Sequence, residues 1–395
     1  MLTLLCIATY LKGHEFVREC RRQGCRVLLL TEEKLRDADW PRDSIDEFFY
    51  VRRDMPLEHV RKGAAHLARS ERIDRIVALD DFDVEMAAML REYLFVPGMG
   101  ETTARAFRDK LAMRRRARSA GIRCPDFVHV LNDAAINEWT GRVNPPWVLK
   151  PRSQAAAIGI KKVHSARELW QIIHALGDER AEFVLEQFIP GDVFHVDSIV
   201  FDGEVRFAAP SRYRMPPMTV AHEGGIFVTR TLADTEPAAA ALRHHNTRVL
   251  ESFGLLRGAS HTEFIHSEDG TWYFLETSAR VGGAYIVDVV EAATGLNLWR
   301  EWARVEIAGE EGTYDLPPIR DRCGGIVLSL ARQEWPDTSA YEDPEIAMRV
   351  KKRHHAGLIV TSPTPARVDQ LLEGYTQRFY DDFHATAPPL EKATE

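Results

Sequence analysis

Short apolar runs alternate with amphipathic stretches over the first hundred residues. LTLLCIAT and CRVLLLT are bounded apolar strands, and GHEFVRECRRQG between them has helical spacing. DEFFYV predicts a third strand, Pro56 to Ser70 a helix, and RIVALD a fourth strand ending in Asp80 and Asp81. Strands separated by helices predict a parallel sheet wrapped by helices. GxGxxG is missing, which gives no support to a dinucleotide site.

The pattern then changes. A charged helix is predicted from Thr102 to Ala120, closed by Gly121. CPDFVHV, PPWVLKPR (145–152), IKKV and FVLEQFIPG read as strands, with a helix from Asp133 to Thr140 and a capping box at Ser165 and Glu168. VFHVDSIVFDGEVRFAA alternates, turns at Asp202-Gly203 and alternates again, which predicts an antiparallel hairpin. HTEFIHSEDGTWYFLET predicts a second, turning at Asp269-Gly270. Helices are expected over Pro237–Phe253 and Asp288–Ala308, and a small α/β tail carries GGIVLSL and GLIVT. SRYRMPPM (211–218) reads as a loop whose Arg212 and Arg214 either contact a ligand or lie on the surface. Loops near 100 and 312–320 divide the chain into 1–104, 105–312 and 313–395. The fold class is mixed α/β and α+β.

The second hairpin carries chemistry. A turn centred on Asp269-Gly270 places Glu263 opposite Glu276 and His261 opposite Ser278, all on one sheet face. Opposed like charges are destabilising unless a cation sits between them. Hard oxygen donors suit Mg²⁺, which takes the rest of its shell from water and substrate phosphates. The alternative is a hairpin whose acids merely face solvent.

Composition narrows the field. A net charge of −8, from 51 basic and 59 acidic residues, argues against general nucleic-acid binding, and Arg114-Arg115-Arg116 reads as a solvated helix face. The five cysteines, odd in number and without CxxC spacing, read as reduced cytosolic thiols. No apolar stretch is long enough to span a membrane. These features predict a cytoplasmic protein.

Lys150 ends the strand WVLK before a loop of small residues that reaches Gly159. A lysine so placed can reach a phosphate while the loop backbone closes over it; an exposed strand-end lysine is the alternative. Glu186-Gln187-Phe188-Ile189 runs into Pro190-Gly191, an edge that can offer backbone groups to a purine.

Together these motifs resemble the ATP-grasp superfamily from about Phe107 to Ala308, preceded by a Rossmann-like domain and followed by a small C-terminal subdomain. The resemblance implies that Lys110 and Lys150 approach the phosphates of ATP. Ser153 to Gly159 would form a mobile loop in which Ser153 and Gly159 bind the nucleotide. Glu186 and the Gln187, Phe188 and Ile189 backbone would clasp adenine, with Asp192 or His195 near the ribose. It further implies that Glu263, Glu276 and Ser278 hold Mg²⁺, with Mn²⁺ as an alternative, and that Arg280 stabilises the transferring phosphoryl group. Gly282 and Gly283 would admit a substrate carboxylate. Two departures stand out. Val193 occupies a position where a ribose-binding carboxylate is common, and Ser278 replaces the asparagine of Glu-x-Asn-x-Arg. The resemblance implies an ADP-forming ligase that joins a carboxylate, an amino acid in particular, to an amine through an acyl-phosphate, as a homodimer. A biotin-carboxylase-like enzyme and an ATP-binding module without turnover are the other readings. His261 is either a proton acceptor for the amine or a partner of Ser278.

Overall fold

The computed structural model describes residues 1–155 and 157–386. β1 (Thr3–Ala8), β2 (Arg26–Glu32), β3 (Glu47–Val51) and β4 (Arg75–Ala78) form a parallel sheet in the order β3-β2-β1-β4. Every residue of β1 is buried, as expected of a parallel strand covered on both faces. Helices α1 (His14–Arg22), α2 (Leu57–Leu67) and α3 (Val84–Leu94) accompany the sheet. The sequence reading had not singled out α3.

The single helix expected over 102–120 is two: α4 (Glu101–Ala106) and α5 (Lys110–Ser119). Asp109 breaks the run because its Oδ1 accepts from Leu111 N at 2.9 Å and Ala112 N at 3.3 Å, which gives α5 its own N-cap. That start places Lys110 in the first turn.

A small antiparallel sheet, ordered β5-β8-β6-β7, follows. It contains β5 (Phe127–His129), β6 (Trp147–Pro151), β7 (Lys161–Val163) and β8 (Phe183–Gln187), with α6 (Asp133–Arg142) and α7 (Ala166–Leu176). Trp139, Trp147, Leu149, Leu169 and Ile173 form its core.

The large sheet has the order β13-β12-β9-β10-β11-β14-β16-β15. Its strands are β9 (Gly191–Phe201), β10 (Glu204–Tyr213), β11 (Phe227–Thr231), β12 (Gly258–Ser267), β13 (Trp272–Ser278), β14 (Cys323–Leu330), β15 (Ile346–Arg349) and β16 (His355–Ser362). The C-terminal region is therefore not a separate sheet, since β14 pairs with β11 and extends the central one. Helices α8 (Pro217–Glu223), α9 (Pro237–Phe253), α10 (Ile286–Thr294), α11 (Leu298–Ala308) and α12 (Pro365–Asp382) complete the chain. The helix expected over 288–308 is broken at Gly295, which has φ 84°, and Asn297 caps the second half. Residues 211–218 are not a loop: β10 runs to Tyr213 and α8 begins at Pro217.

Helix α1, beside the parallel sheet, packs on α11. Arg304 Nε lies 2.9 Å from Glu19 of α1, and the rings of Phe16 and Trp302 meet edge to face at 5.3 Å. Cys6, Cys20, Cys25, Cys124 and Cys323 are all unpaired. Among the described residues no helix is long and apolar enough to cross a membrane.

The β12–β13 hairpin reaches the expected opposition by an unexpected route. Ser267 N bonds Thr271 O at 3.0 Å across a three-residue loop, with Gly270 at φ 81°. From there His266 pairs with Trp272 and Phe264 with Phe274, one step away from a turn centred on Asp269-Gly270. A bulge at Leu275 then adds one residue to β13 and shifts the register, so that Glu263 faces Glu276 and His261 faces Ser278.

Candidate active site

Side-chain alternation puts Val193, His195 and Asp197 of β9 on the same face as Ile265, Glu263 and His261 of β12, where Glu263 pairs with His195 and His261 with Asp197. The face is graded. Val193, Tyr213 and Ile265 pack together at one end with Ile189, Tyr273 and Leu275 against them. The carboxylates Glu263 and Glu276 come next, and Asp197, His261 and Ser278 close the row. An apolar platform beside paired acids suits a nucleotide, base at one end and phosphates at the other.

Each acid is already neutralised. Lys110 Nζ lies 3.1 Å from Glu276 Oε2 and donates to Gln154 O at 2.5 Å. Burial works to raise the Glu276 carboxyl, but Lys110 and Lys150 outweigh it and hold it at about 2. Tyr213 Oη donates to Glu263 Oε1 at 2.9 Å, and His261 Nε2 is 3.5 Å from the same oxygen. Two carboxylates with a hydroxyl nearby are the donor set of a hard divalent cation, and the Lys110 ammonium stands on Glu276 as such a cation would.

The small sheet contributes a buried ion cluster. Lys150 Nζ lies 2.8 Å from Glu186 Oε2, while Arg114 Nε is 2.9 Å from Oε1 and Nη2 is 3.0 Å from Oε2. Burial pushes Lys150 down to about 8 despite Glu186. Arg114 is fully buried, which corrects its reading as part of a solvated face. The Glu186 carboxylate holds both Lys150 and Arg114. In the hinge, Gln187 N bonds Asp126 O and Phe188 N bonds Pro146 O, which leaves Ile189 N–H as the hinge donor without a partner among the described residues. Asp192 is half-exposed and pairs with Arg212 at 2.8 Å, and Arg214 pairs with Glu373 at 3.3 Å, so both arginines have surface carboxylate partners.

His195 does not have the free edge a ribose contact needs. It is 1% exposed, with Nδ1 2.6 Å from Asp197 Oδ2 and Nε2 2.8 Å from Thr229 Oγ1. His261 Nδ1 lies 2.9 Å from Asp197 Oδ1. Burial works to lower His261, yet Asp197 and Glu263 raise it to about 9. A histidine protonated at neutral pH is not the proton acceptor for an amine. Its ring bonds Asp197 and not Ser278, so both readings of His261 are corrected. The ligand atoms of His195, Asp197 and His261 lie within 4.8 Å of one another, as a metal would require. Their nitrogen–oxygen separations are hydrogen-bond lengths, and we read a buried network.

Arg280 follows β13. Its Nη1 donates to Val281 O at 2.7 Å, and its buried Nε has no partner. A Cβ on Gly282 would stand 2.6 Å from Asp197 Oδ1, whereas one on Gly283 would meet nothing within 4 Å. Gly282 is thus a packing requirement, and Gly283 faces open space. At the start of the small-residue loop, Arg108 bonds Ser153 O and its Nη1 lies 3.3 Å from Asp81 Oδ2, tying loop and first domain together. The expected lid, Ser153 to Ala157, includes Ala156, which lies outside the described residues, as does 387–395 at the end of the tail.

Sequence reasoning missed Arg114, Asp197 and Tyr213. Arg114 stands four residues after Lys110 on one helix, and Asp197 two after His195 on one strand, so both spacings were readable. Tyr213 reaches Glu263 only across strands.

The sequence profile of the ATP-grasp domain matches residues 143–288. The chain carries an ATP-grasp domain. It is 24% identical over 288 residues to an L-arginine-specific L-amino acid ligase of Bacillus subtilis, covering 69% of either chain. The crystal structure of an L-amino acid ligase from Bacillus licheniformis superposes with a TM-score of 0.76 at 18% identity, over 97% of this chain and 98% of that one. N5-carboxyaminoimidazole synthetase from Staphylococcus aureus, complexed with ADP, gives 0.72 at 15% identity, over 94% and 96%. At these identities the two structures speak for the fold. The ATP-grasp profile spans Lys150, Glu263, Glu276 and Arg280.

Proposed function

We propose that this ATP-grasp ligase joins an amino-acid carboxylate to an amine, with ATP converted to ADP and phosphate. The observation that carries the reading is Arg280. Its guanidinium follows the strand of the opposed acids and has no carboxylate partner among the described residues, with its Nε buried and unbonded. Such a cation wants an anion from outside the chain, and a transferring phosphoryl group supplies one.

The substrate carboxylate attacks the γ-phosphorus of ATP; ADP leaves with the electrons of the broken P–O bond. The amine then attacks the acyl carbon, and phosphate departs. Phosphoryl transfer needs mostly positioning and charge neutralisation. Lys150 and Arg280 supply charge, the Val193–Tyr213–Ile265 platform and Ile189 N–H receive the base, and the open side of Gly283 admits the carboxylate. Glu263 and Glu276 would hold Mg²⁺, or Mn²⁺, with Ser278 as a shorter neutral donor, and such an ion would supply charge neutralisation for the phosphates. Lys110, now on Glu276, would turn to the phosphates if that carboxylate held an ion. A homodimer, a cytoplasmic location and the division at 104 and 312 belong to the same proposal.

The test is ADP release over a panel of amino acids and amines. Stimulation by particular pairs is expected. If ATP binds but no pair stimulates release above the blank, the ligase reading fails and a module without turnover replaces it. Bicarbonate-dependent release without an amine would favour a carboxylase.

A further inference from the structure

A cavity of about 180 Å³ lies between the parallel-sheet region and β12 with α11. Arg75 and Arg91 line it from the first domain, and Arg257, Glu306 and Glu310 from the second. Arg91 is buried, and its Nε and Nη1 donate to backbone oxygens, Ile76 O at 2.7 Å and Met99 O at 3.0 Å. No carboxylate lies within ion-pair reach of it among the described residues; Glu306 acts on it only from a distance. Arg257 bonds Asp202 and lies 3.7 Å from Glu310, but its buried Nε has no partner. Glu306 Oε1 accepts from Trp302 Nε1 at 2.9 Å, and Arg91, Arg75 and Arg257 all act on its charge without touching the carboxylate. Burial pushes the Glu306 carboxyl up despite them.

Buried opposite charges ordinarily close into contact, because a lone buried charge is costly. Here Arg91 and Glu306 stand apart around a space, with spare donor capacity on Arg91 and Arg257 and a half-satisfied carboxylate on Glu306. The group that completes both sides carries a carboxylate and an ammonium close together. The volume admits a small molecule of that kind and excludes a nucleotide. We propose that this cavity binds a small zwitterionic α-amino acid, its carboxylate on Arg91 and Arg257 and its ammonium on Glu306. Ala279, between Ser278 and Arg280, also lines the space, so the occupant touches the chain just beyond β13 and bridges it to the parallel-sheet region. The site is independent of ATP and of the ligase reading.

The test is calorimetric titration of L-alanine into the full chain without ATP or metal. Saturable binding is expected, unchanged in Arg280→Ala, weakened at least about tenfold in Glu306→Gln and in Arg257→Gln, and weaker still for acetate or methylamine alone. Each variant is checked by thermal melting, and the two substitutions on different elements guard against one that fails to fold. Absence of saturable binding, binding unaffected by both cavity substitutions, or loss of binding in Arg280→Ala would each overturn the proposal. The last would move the amino acid to the catalytic cleft, and the first would leave the cavity to water.

Discussion

Lys150 and Glu186 form a buried ion pair across β6 and β8, Nζ to Oε2 2.8 Å, and Arg114 of α5 closes on the same carboxylate. Burial, against the pull of Glu186, brings Lys150 from its ordinary 10.5 to about 8. A phosphate contact that needs the ammonium form is therefore lost as pH rises through about 8. The KM for ATP should climb there, by about tenfold per pH unit at most. Stability moves the other way. Between about 8 and 10.5 the unfolded chain binds the lysine proton and the folded chain does not, so this group's contribution rises with pH. ATP kinetics and urea unfolding measured from pH 7 to 10 would separate the effects, and a flat KM would reject the lysine's role.

Removing the acid of this cluster should be severe. Glu186→Gln leaves two buried cations facing each other, and breaking such a group costs about 3–5 kcal/mol. Denaturant unfolding should show that loss. A change under about 1 kcal/mol would mean that Arg114 and Lys150 find other partners.

Tyr213 donates its hydroxyl to Glu263 at 2.9 Å, so it orients an acid assigned to the metal without touching the ion. Tyr213→Phe should raise the Mg²⁺ concentration for half-activity by about 10–100-fold and leave nucleotide affinity nearly unchanged. Mn²⁺ should recover part of the loss. Equal effects on metal and ATP would point to a general disturbance of the sheet.

At the metal row itself, Glu276→Ala should abolish ADP release, and full activity would sink the metal assignment. Ser278→Asn should preserve or raise activity if the serine stands in the metal's shell. His261 gives it no competing bond, so a large loss would assign it a separate role.

The two glycines after Arg280 should differ. Gly282→Ala puts a methyl 2.6 Å from Asp197 Oδ1, within the buried network behind Glu263, and should lower both melting temperature and turnover. Gly283→Ala meets nothing within 4 Å. It should leave melting unchanged and affect only the KM for the carboxylate substrate. Matching effects from both would contradict this division.

Much of the fold was legible because its signals are local. Period-2 alternation located both hairpins, and apolar runs located the parallel strands and the lysine strand. The start of α5 was also written locally, in Asp109, but helical periodicity on both sides concealed it. The C-terminal strands were legible as strands, whereas their joining of the central sheet through β11 was not, because hydrogen-bonded partners leave no mark on either strand's own pattern.

The opposition of Glu263 and Glu276 shows where sequence and tertiary structure divide. The sequence by itself determined that two acids stand on facing strands of one hairpin, with an arginine and two glycines just beyond. The tertiary structure decided the register, through a three-residue loop and a compensating bulge at Leu275. It also decided the state of each charge. Arg114 of α5 is a core residue because a carboxylate from the small sheet meets it, and His195 is closed to a nucleotide because Asp197 and Thr229 take both ring nitrogens. Period and spacing fix which way a side chain points along its own element. What it meets there depends on long-range packing, and that encounter sets charge, availability and role.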